Sequence, residues 1–548
     1  MTTTYRHFKP SAMYVAMLLS LPITSVLAQT SDQPVGTTVQ LQPAFVWSTV
    51  ANSATDMPGS DPARKFSSFN QPSVNSMGMV VMRARGKGEG GPLRGVYTRQ
   101  MGGVPGPVVS AFDSLTAVPQ PNNILYPPDD KLGTFTEFPA FARIGMYDNT
   151  VVTRGQSKPV WKYLLPDQTE TRVGTSGVYA ANLDKRVSAA TQLGPVAGYE
   201  YFGVPGAPAG TKFDQFPGAP AVANRNAVVF KGNYTDGVPK TGIFYHWFDF
   251  FDLTKSKVSV IASSNTVIPG QTSVRFGSTA PPSASPIDAV FLGLDNEEAP
   301  TMGGIYRAPL LSNPKLQPLV SIGSQVPGEL VGVKFNRLGE ALSYDGRYVA
   351  FWGAWGEATR NVTLICPADG QKEVIDFCVN KYPSGLSMAV PTNQGFFVHD
   401  ALFRVTYAVA KTGVVYKDFL YWTFSGRPPG VGDSDSEDFE EPRWRSAAFV
   451  AAFGPLGKPQ VAFKGRKVGD TVIDGIYLTA ATVPATAIRT VVETGMDGSV
   501  VDPGAAGLPV TTVGLERDGL RNGWLSIAAS MTNGVTNWAG VYLTRTAR

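Results

Sequence analysis

The residues with the most pointed chemistry lie between positions 433 and 445. In Asp433-Ser434-Asp435-Ser436-Glu437-Asp438 the carboxylates alternate along a short loop, and Asp433, Asp435 and Glu437 form the kind of oxygen set that wraps a hard cation such as Ca²⁺. The run lacks the glycine and terminal glutamate of an EF-hand, and a hydrated acidic loop is the plainer use of the same residues. Arg443 and Arg445 follow, two apart, so an extended strand turns both to one face and Trp444 to the other. If that strand lines a channel, the pair is a fork for carboxylate or phosphate; pairing with the neighbouring acids is the alternative. Arg143 and Arg517 lie in comparable segments. The four arginines are therefore candidate ligand residues for an anionic or sugar-acid ligand.

Two aromatic runs, Phe244–Phe251 and Tyr416–Phe424, offer stacking surfaces for carbohydrate, although burial in a core is the commoner use of such rings. His246 and His399 are most simply local structural residues. Only three histidines and two cysteines are present, too few for several zinc sites or a four-histidine metal centre. No Gly-x-Ser-x-Gly elbow and no His-Glu-x-x-His occurs. Gly86-Lys87-Gly88-Glu89-Gly90-Gly91 matches a dinucleotide fingerprint formally, but no helix follows it, and it reads as a hairpin turn.

The elements that must position these residues are strands. Glycine (58) and proline (43) punctuate short apolar runs along the whole chain, as in all-β proteins. A triplet of glycine, apolar residue and aromatic recurs seven times in register: Gly95-Val96-Tyr97, Gly177-Val178-Tyr179, Gly242-Ile243-Phe244, Gly304-Ile305-Tyr306, Gly395-Phe396-Phe397, Gly475-Ile476-Tyr477 and Gly540-Val541-Tyr542. Upstream of each lies a continuous apolar strand that usually ends in glycine, such as Val228-Val229-Phe230-Lys231-Gly232. Before it comes a Phe-containing segment leading into small residues, as at Phe66, Phe135 and Phe213. Four short strands per repeat, the second apolar on both faces, describe the blade of a β-propeller. Stacked β-sandwiches are the alternative, but they require no repeated signature.

The stretch Ala341-Leu342-Ser343-Tyr344-Asp345-Gly346-Arg347-Tyr348-Val349-Ala350-Phe351 resembles the blade signature of TolB-like and WD40-like propellers: a small-residue strand, a Ser-x-Asp-Gly turn, then an apolar strand. The resemblance implies that the strand before the turn is innermost and faces the channel. It is a likeness of architecture spread over residues 40–548, and names no function.

The domain reading follows. Residues 1–28 have the basic, apolar and small-residue zones of a secretory signal peptide, and 29–38 form an N-terminal extension. Residues 39–548 form seven four-stranded blades, with an insertion at about 355–393 in blade five carrying Cys366 and Cys378, which an oxidising compartment would join. Leu41–Val46 resembles the segment after the triplet strand of repeat four, and the last triplet lacks such a successor. An N-terminal strand is thus expected to pair with the last blade and close the ring. The near-neutral charge of +4 excludes the basic stripe of a nucleic-acid binder, and no further stretch is long enough to span a membrane. The expectation is a secreted or periplasmic binding module recognising a glycan, an anionic small molecule or a protein partner at the channel face. The alternatives are a lyase or hydrolase of acidic saccharides and an envelope scaffold.

Overall fold

The computed structural model describes residues 45–546 apart from 61–62, 88–92, 124–132, 158–161, 165–169, 173–175, 196–197, 253, 255–256, 312–313, 340, 369–371, 427–441 and 482–486. The expected signal peptide and N-terminal extension, and the acids Asp433, Asp435 and Glu437, lie outside the described residues.

Seven antiparallel sheets form a seven-bladed β-propeller. Each sheet has five strand segments, because its innermost strand is interrupted and pairs with the second strand in two pieces. In blade one, Phe66–Phe69 and Ser73–Val74 both pair with Met79–Gly86, which is followed by Leu93–Gln100 and Val108–Asp113. The inner pieces Ser73–Val74, Arg143–Ile144, Ala221–Asn224, Ser283–Ala284, Ser343–Tyr344, Val450–Phe453 and Leu520–Arg521 touch one another in turn and complete a ring. Small side chains at most of these positions allow seven backbones to converge.

The recurrent triplet has a steric cause. Its glycine lies directly across the sheet from the glycine of the second strand in Gly155–Gly177, Gly232–Gly242, Gly293–Gly304, Gly353–Gly395 and Gly465–Gly475. In blades one and seven alanine replaces the second-strand glycine, giving Ala84–Gly95 and Ala529–Gly540. Two aromatic rings cover the bare backbone. The triplet's own aromatic, two residues on and on the same face, folds back over its glycine, so that a Cβ on Gly177 would sit 2.8 Å from the Tyr179 ring. The second ring comes from the first strand, and a Cβ on Gly155 would sit 2.6 Å from Phe135. The two rings meet edge to face in Phe66–Tyr97, Phe135–Tyr179, Phe213–Phe244, Phe276–Tyr306, Phe335–Phe397 and Tyr416–Tyr477, with centroids 4.8–5.3 Å apart. Each such pair adds roughly 0.5–1.5 kcal/mol beyond the area it buries.

Blade seven breaks the pattern and closes the ring. Val510 stands where the other blades place the first-strand ring, and the Tyr542 hydroxyl donates instead to Asp502 Oδ2 at 3.0 Å. The N-terminal strand Trp47–Asn52 supplies the outermost strand of this blade by pairing antiparallel with Asn537–Arg545. The expected closure is present, with the described strand beginning at Trp47. Asp502 also accepts from Asn52 Nδ2 and from Trp538 Nε1, both at 2.9 Å, and so ties the first strand to the last.

The Ser-x-Asp-Gly turn joins blades five and six. Asp345 caps its own turn through the backbone N–H groups of Arg347 and Tyr348 at 2.9 and 2.7 Å, while its second oxygen accepts from Gly454 N at 2.8 Å.

Residues 355–393 are largely a continuation of blade five. Strands Tyr348–Leu364 and Leu386–Asp400 run out as a long two-stranded arm, tipped by the helix Lys372–Lys381 and the Cys366–Cys378 disulfide. A separate hairpin, Tyr421–Ser425 with Arg443–Ala447, interrupts the innermost strand of blade six. Among the described residues no helix is long and apolar enough to cross a membrane.

Asp502→Ala strips three side-chain donors of their common acceptor at the closure. It is expected to cost about 1–3 kcal/mol in equilibrium denaturant unfolding, with first-strand amides losing exchange protection before those of blades two to five.

Candidate functional site

The breaks between the two pieces of the innermost strands of blades two, five, six and seven lie beside one cavity of about 310 Å³. Phe141, Ala341, Phe449 and Arg517 line it, each a few residues upstream of the inner piece of its blade, which places the cavity at one mouth of the central channel. The irregular parts of the fold build its walls. The arm of blade five contributes Met388–Pro391, the blade-six hairpin contributes Trp422, and the connection between the second and third strands of blade four contributes Glu297 and Glu298.

The arm and hairpin are braced at their bases. Trp352, a buried wall residue, donates its indole N–H to Gln394 Oε1 at 2.9 Å, and Gln394 Nε2 donates to Asp418 Oδ1 at 2.9 Å. Asp418 is also paired with Arg360 of the arm. Farther out, Tyr382 of the arm meets Phe424 of the hairpin, and Phe424 in turn packs on Trp444.

The floor is ionic. The segment Glu516-Arg517-Asp518 of blade seven enters the centre of the ring and is held from several sides. Arg143 of blade two, fully buried, is ion-paired with Glu516 and donates to Asp518 Oδ2 at 3.2 Å. Arg521 is ion-paired with Asp518. Arg517 Nε donates to Glu516 at 3.3 Å, and its Nη1 reaches the carbonyl of Pro281 in blade four at 3.2 Å. Burial pushes the Glu516 carboxyl above its ordinary range against the pull of Arg143. The centre of the ring is therefore occupied by a polar network.

Arg143 and Arg517, singled out in the sequence, do come together, both on Glu516 Oε1. Arg143 is sealed beneath the floor with its charge directed at Glu516 and Asp518, and of the two only Arg517 lines the cavity. Arg443 and Arg445 lie elsewhere. Their side chains alternate with Trp444 as expected, opposite Ser425 and Thr423, but on the two-stranded hairpin and not on an inner strand. The inner strand of blade six is Val450–Phe453, whose Val450, Ala451 and Ala452 are fully buried. Arginine does occur on inner pieces elsewhere, at Arg143 and Arg521, but there each is paired with a buried carboxylate. Arg443 is exposed and Arg445 half-buried.

Sequence reasoning missed Glu297, Glu298 and Glu516. The signal for Glu516 was available: Glu516-Arg517-Asp518 is a charged run inside an otherwise apolar inner-strand region. Glu297 and Glu298 carry no local signal, since acidic residues in a hairpin connection are ordinary. Among the described residues no three His, Cys, Asp or Glu side chains converge as a metal site.

Both expected structural histidines lie within the blades. His246 is fully buried and donates Nδ1–H to Ala189 O at 2.7 Å, and burial lowers its pKa to about 4. His399 contacts Thr406 Oγ1 at 3.0 Å and is also lowered to about 4 by burial.

No family model matches the sequence, and no curated protein matches it. Solved structures that align with it include an α-L-arabinofuranosidase of Podospora anserina in complex with cellotriose, at 7% identity and a TM-score of 0.22, covering 66% of this chain and 96% of that one. Fructan 1-exohydrolase IIa of Cichorium intybus aligns at 10% identity over 91% of this chain and 94% of that chain, with a TM-score of 0.25. An exo-inulinase of Aspergillus awamori aligns at 10% identity over 87% and 96%, with a TM-score of 0.19. Likeness at this level says nothing about chemistry in the cavity.

Two outcomes are expected. Arg143→Met leaves Glu516 and Asp518 short of a buried counter-charge and should lower the unfolding free energy by about 3–5 kcal/mol in urea titration. Because His246 must stay neutral in the fold, its contribution is complete above pH 6.5 and is lost as pH falls from there toward about 4. The loss amounts to about 3 kcal/mol, and His246→Gln should flatten that limb of a stability–pH profile.

Proposed function

We propose that this chain is an exported β-propeller that binds a glycan at the channel mouth, with one sugar unit in the cavity walled by Trp352, Trp422 and Phe449. The cavity carries the proposal. Its volume of about 310 Å³ is at the small end of ligand pockets, and it combines aromatic walls with a few charged groups. The apolar face of a pyranose stacks on an indole, while carboxylates and guanidiniums at the rim take up its hydroxyls.

The charges favour a neutral sugar over an anionic one. Among the described residues the lining holds three carboxylates, Glu297, Glu298 and Glu516, against two guanidiniums, Arg337 and Arg517, and Arg517 is engaged with Glu516. Export is supported by the basic, apolar and small-residue zones of residues 1–28 and by the Cys366–Cys378 disulfide. Glycan cleavage is the second reading. It rests on Glu516, a carboxyl at the cavity floor whose affinity for its proton is raised by burial, a property used by general acids.

Calorimetric titration with neutral oligosaccharides, chosen from a glycan array, tests the binding reading. Trp422→Ala and Glu298→Gln should each weaken binding roughly tenfold, about 1.4 kcal/mol, without changing the unfolding midpoint by more than a few degrees. Unchanged affinity in both variants, or no neutral glycan bound by the parent protein, rules the site out. Release of reducing ends by the parent protein, absent in Glu516→Gln with binding retained, would establish cleavage.

A further inference from the structure

The junction of blades one and two holds a concentration of positive charge that the channel mouth does not involve. Arg83 and Arg85 stand two apart on the strand Met79–Gly86, on one face of the sheet, and Arg94 of the next strand is paired directly opposite Arg85. Like charges directly opposite one another on a sheet are destabilising unless something of opposite sign joins them. One group does so. Glu137, on the first strand of blade two, accepts from Arg94 at 2.8 Å and from Arg85 at 3.0 Å, and lies 3.7 Å from Arg83. Among the described residues a single carboxylate thus answers three guanidiniums, leaving an excess of two positive charges there.

The donors are not used up either. Arg94 Nη1 also donates to the Thr136 carbonyl at 3.2 Å, but the Nε groups of both Arg85 and Arg94 are buried with no acceptor among the described residues. An arginine Nε–H left in this state is unusual, because buried donors are ordinarily satisfied. The side chains keep 14%, 37% and 24% of their exposure at Arg83, Arg85 and Arg94, so the cluster is partly desolvated and still reachable from solvent. The strain shows in both signs of charge. Burial, reinforced by Arg85 and Arg94 and opposed by Glu137, lowers Arg83 to about 10. Burial also pushes Glu137 upward, and the three arginines override it and hold the carboxyl below its usual range.

We propose that Arg83, Arg85 and Arg94 form a binding site for a tetrahedral oxyanion, a sulfate or phosphate group, at the junction of blades one and two. A dianion matches the excess charge, and its oxygens accept from planar guanidinium forks in the geometry that makes arginine the preferred partner of such groups. The trio lies at the base of the connection between the second and third strands of blade one. The equivalent connections of blades four and five line the channel-mouth cavity, so the site opens toward the same face of the ring. The anion can therefore come as a free ion or as an ester carried on a polymer. The site stands whether or not the channel mouth takes a sugar.

The test is thermal unfolding and calorimetry of the full chain with sodium sulfate and sodium phosphate, against sodium chloride at equal ionic strength, and with a sulfated polysaccharide against its desulfated backbone. The parent protein should bind and be stabilised by sulfate or phosphate beyond the chloride control. Arg85→Gln combined with Arg94→Gln should weaken binding by at least about tenfold. Glu137→Gln should instead tighten it several-fold, since it removes the competing negative charge; a merely structural cluster would show no gain, and this variant keeps the test intact if the double variant fails to fold. Saturation by the inorganic ion assigns a free oxyanion, and preference for the sulfated polymer at equal sulfate concentration assigns an ester. No response to any of these anions beyond chloride, or full binding by the folded double variant, overturns the proposal.

Discussion

The ring depends on one repeated contact, in which two aromatic rings close edge to face over backbone left bare by glycine. Each blade brings its second and third strands together at this point. In five blades glycine faces glycine there, and in blades one and seven glycine faces alanine. A strand with no Cβ is weak by itself, since glycine loses the most entropy on folding and offers nothing to pack. The rings reverse that penalty by filling the space with the largest apolar groups available. Because one ring comes from the first strand and the other from the third, the contact also spans the second strand and ties all three together.

Blade seven shows what happens where the contact is missing. With Val510 in place of an aromatic, Tyr542 turns its hydroxyl to Asp502, and the same carboxylate holds Asn52 of the first strand. The substitution of a polar hub for an aromatic pair occurs at the one blade assembled from both ends of the chain. Hydrogen bonds are directional and tie particular partners, whereas ring packing tolerates many; a junction that must select one strand from a distant part of the chain benefits from the former.

The centre of the molecule obeys a different constraint. Small inner-strand residues bring seven backbones close, and the space left over is filled by Glu516, Arg517 and Asp518 with Arg143 and Arg521, not by apolar side chains. Buried ions of this kind are poor sources of stability but strongly specify their partners. Here they link blade seven to blades two and four across the ring, and they form the floor on which the cavity stands. The walls come from departures from the repeat: the long arm of blade five, the hairpin within blade six and the connection in blade four. A regular repeat makes a regular surface, so a shaped site has to be made from what interrupts it.

The blade number, the position of the glycine and aromatic residues, the closing strand and the local disulfide were all legible in the amino-acid sequence. Each depends on neighbours within one blade or on a pattern repeated seven times, and such patterns survive divergence because every copy meets the same packing problem. The alternation of Arg443 and Arg445 around Trp444 was legible for the same reason, since side-chain direction along a strand is a local property. What the strand paired with was not. In blade six the inner piece is Val450–Phe453, with three fully buried small residues, and the arginines fall on the hairpin before it, a division that local alternation does not reveal. Arg143 meets Glu516 across 373 residues of chain, and Glu297 shares a cavity wall with Trp422 from a different blade. Charge pairing and cavity shape belong to the closed ring, where distance along the chain no longer measures distance in space.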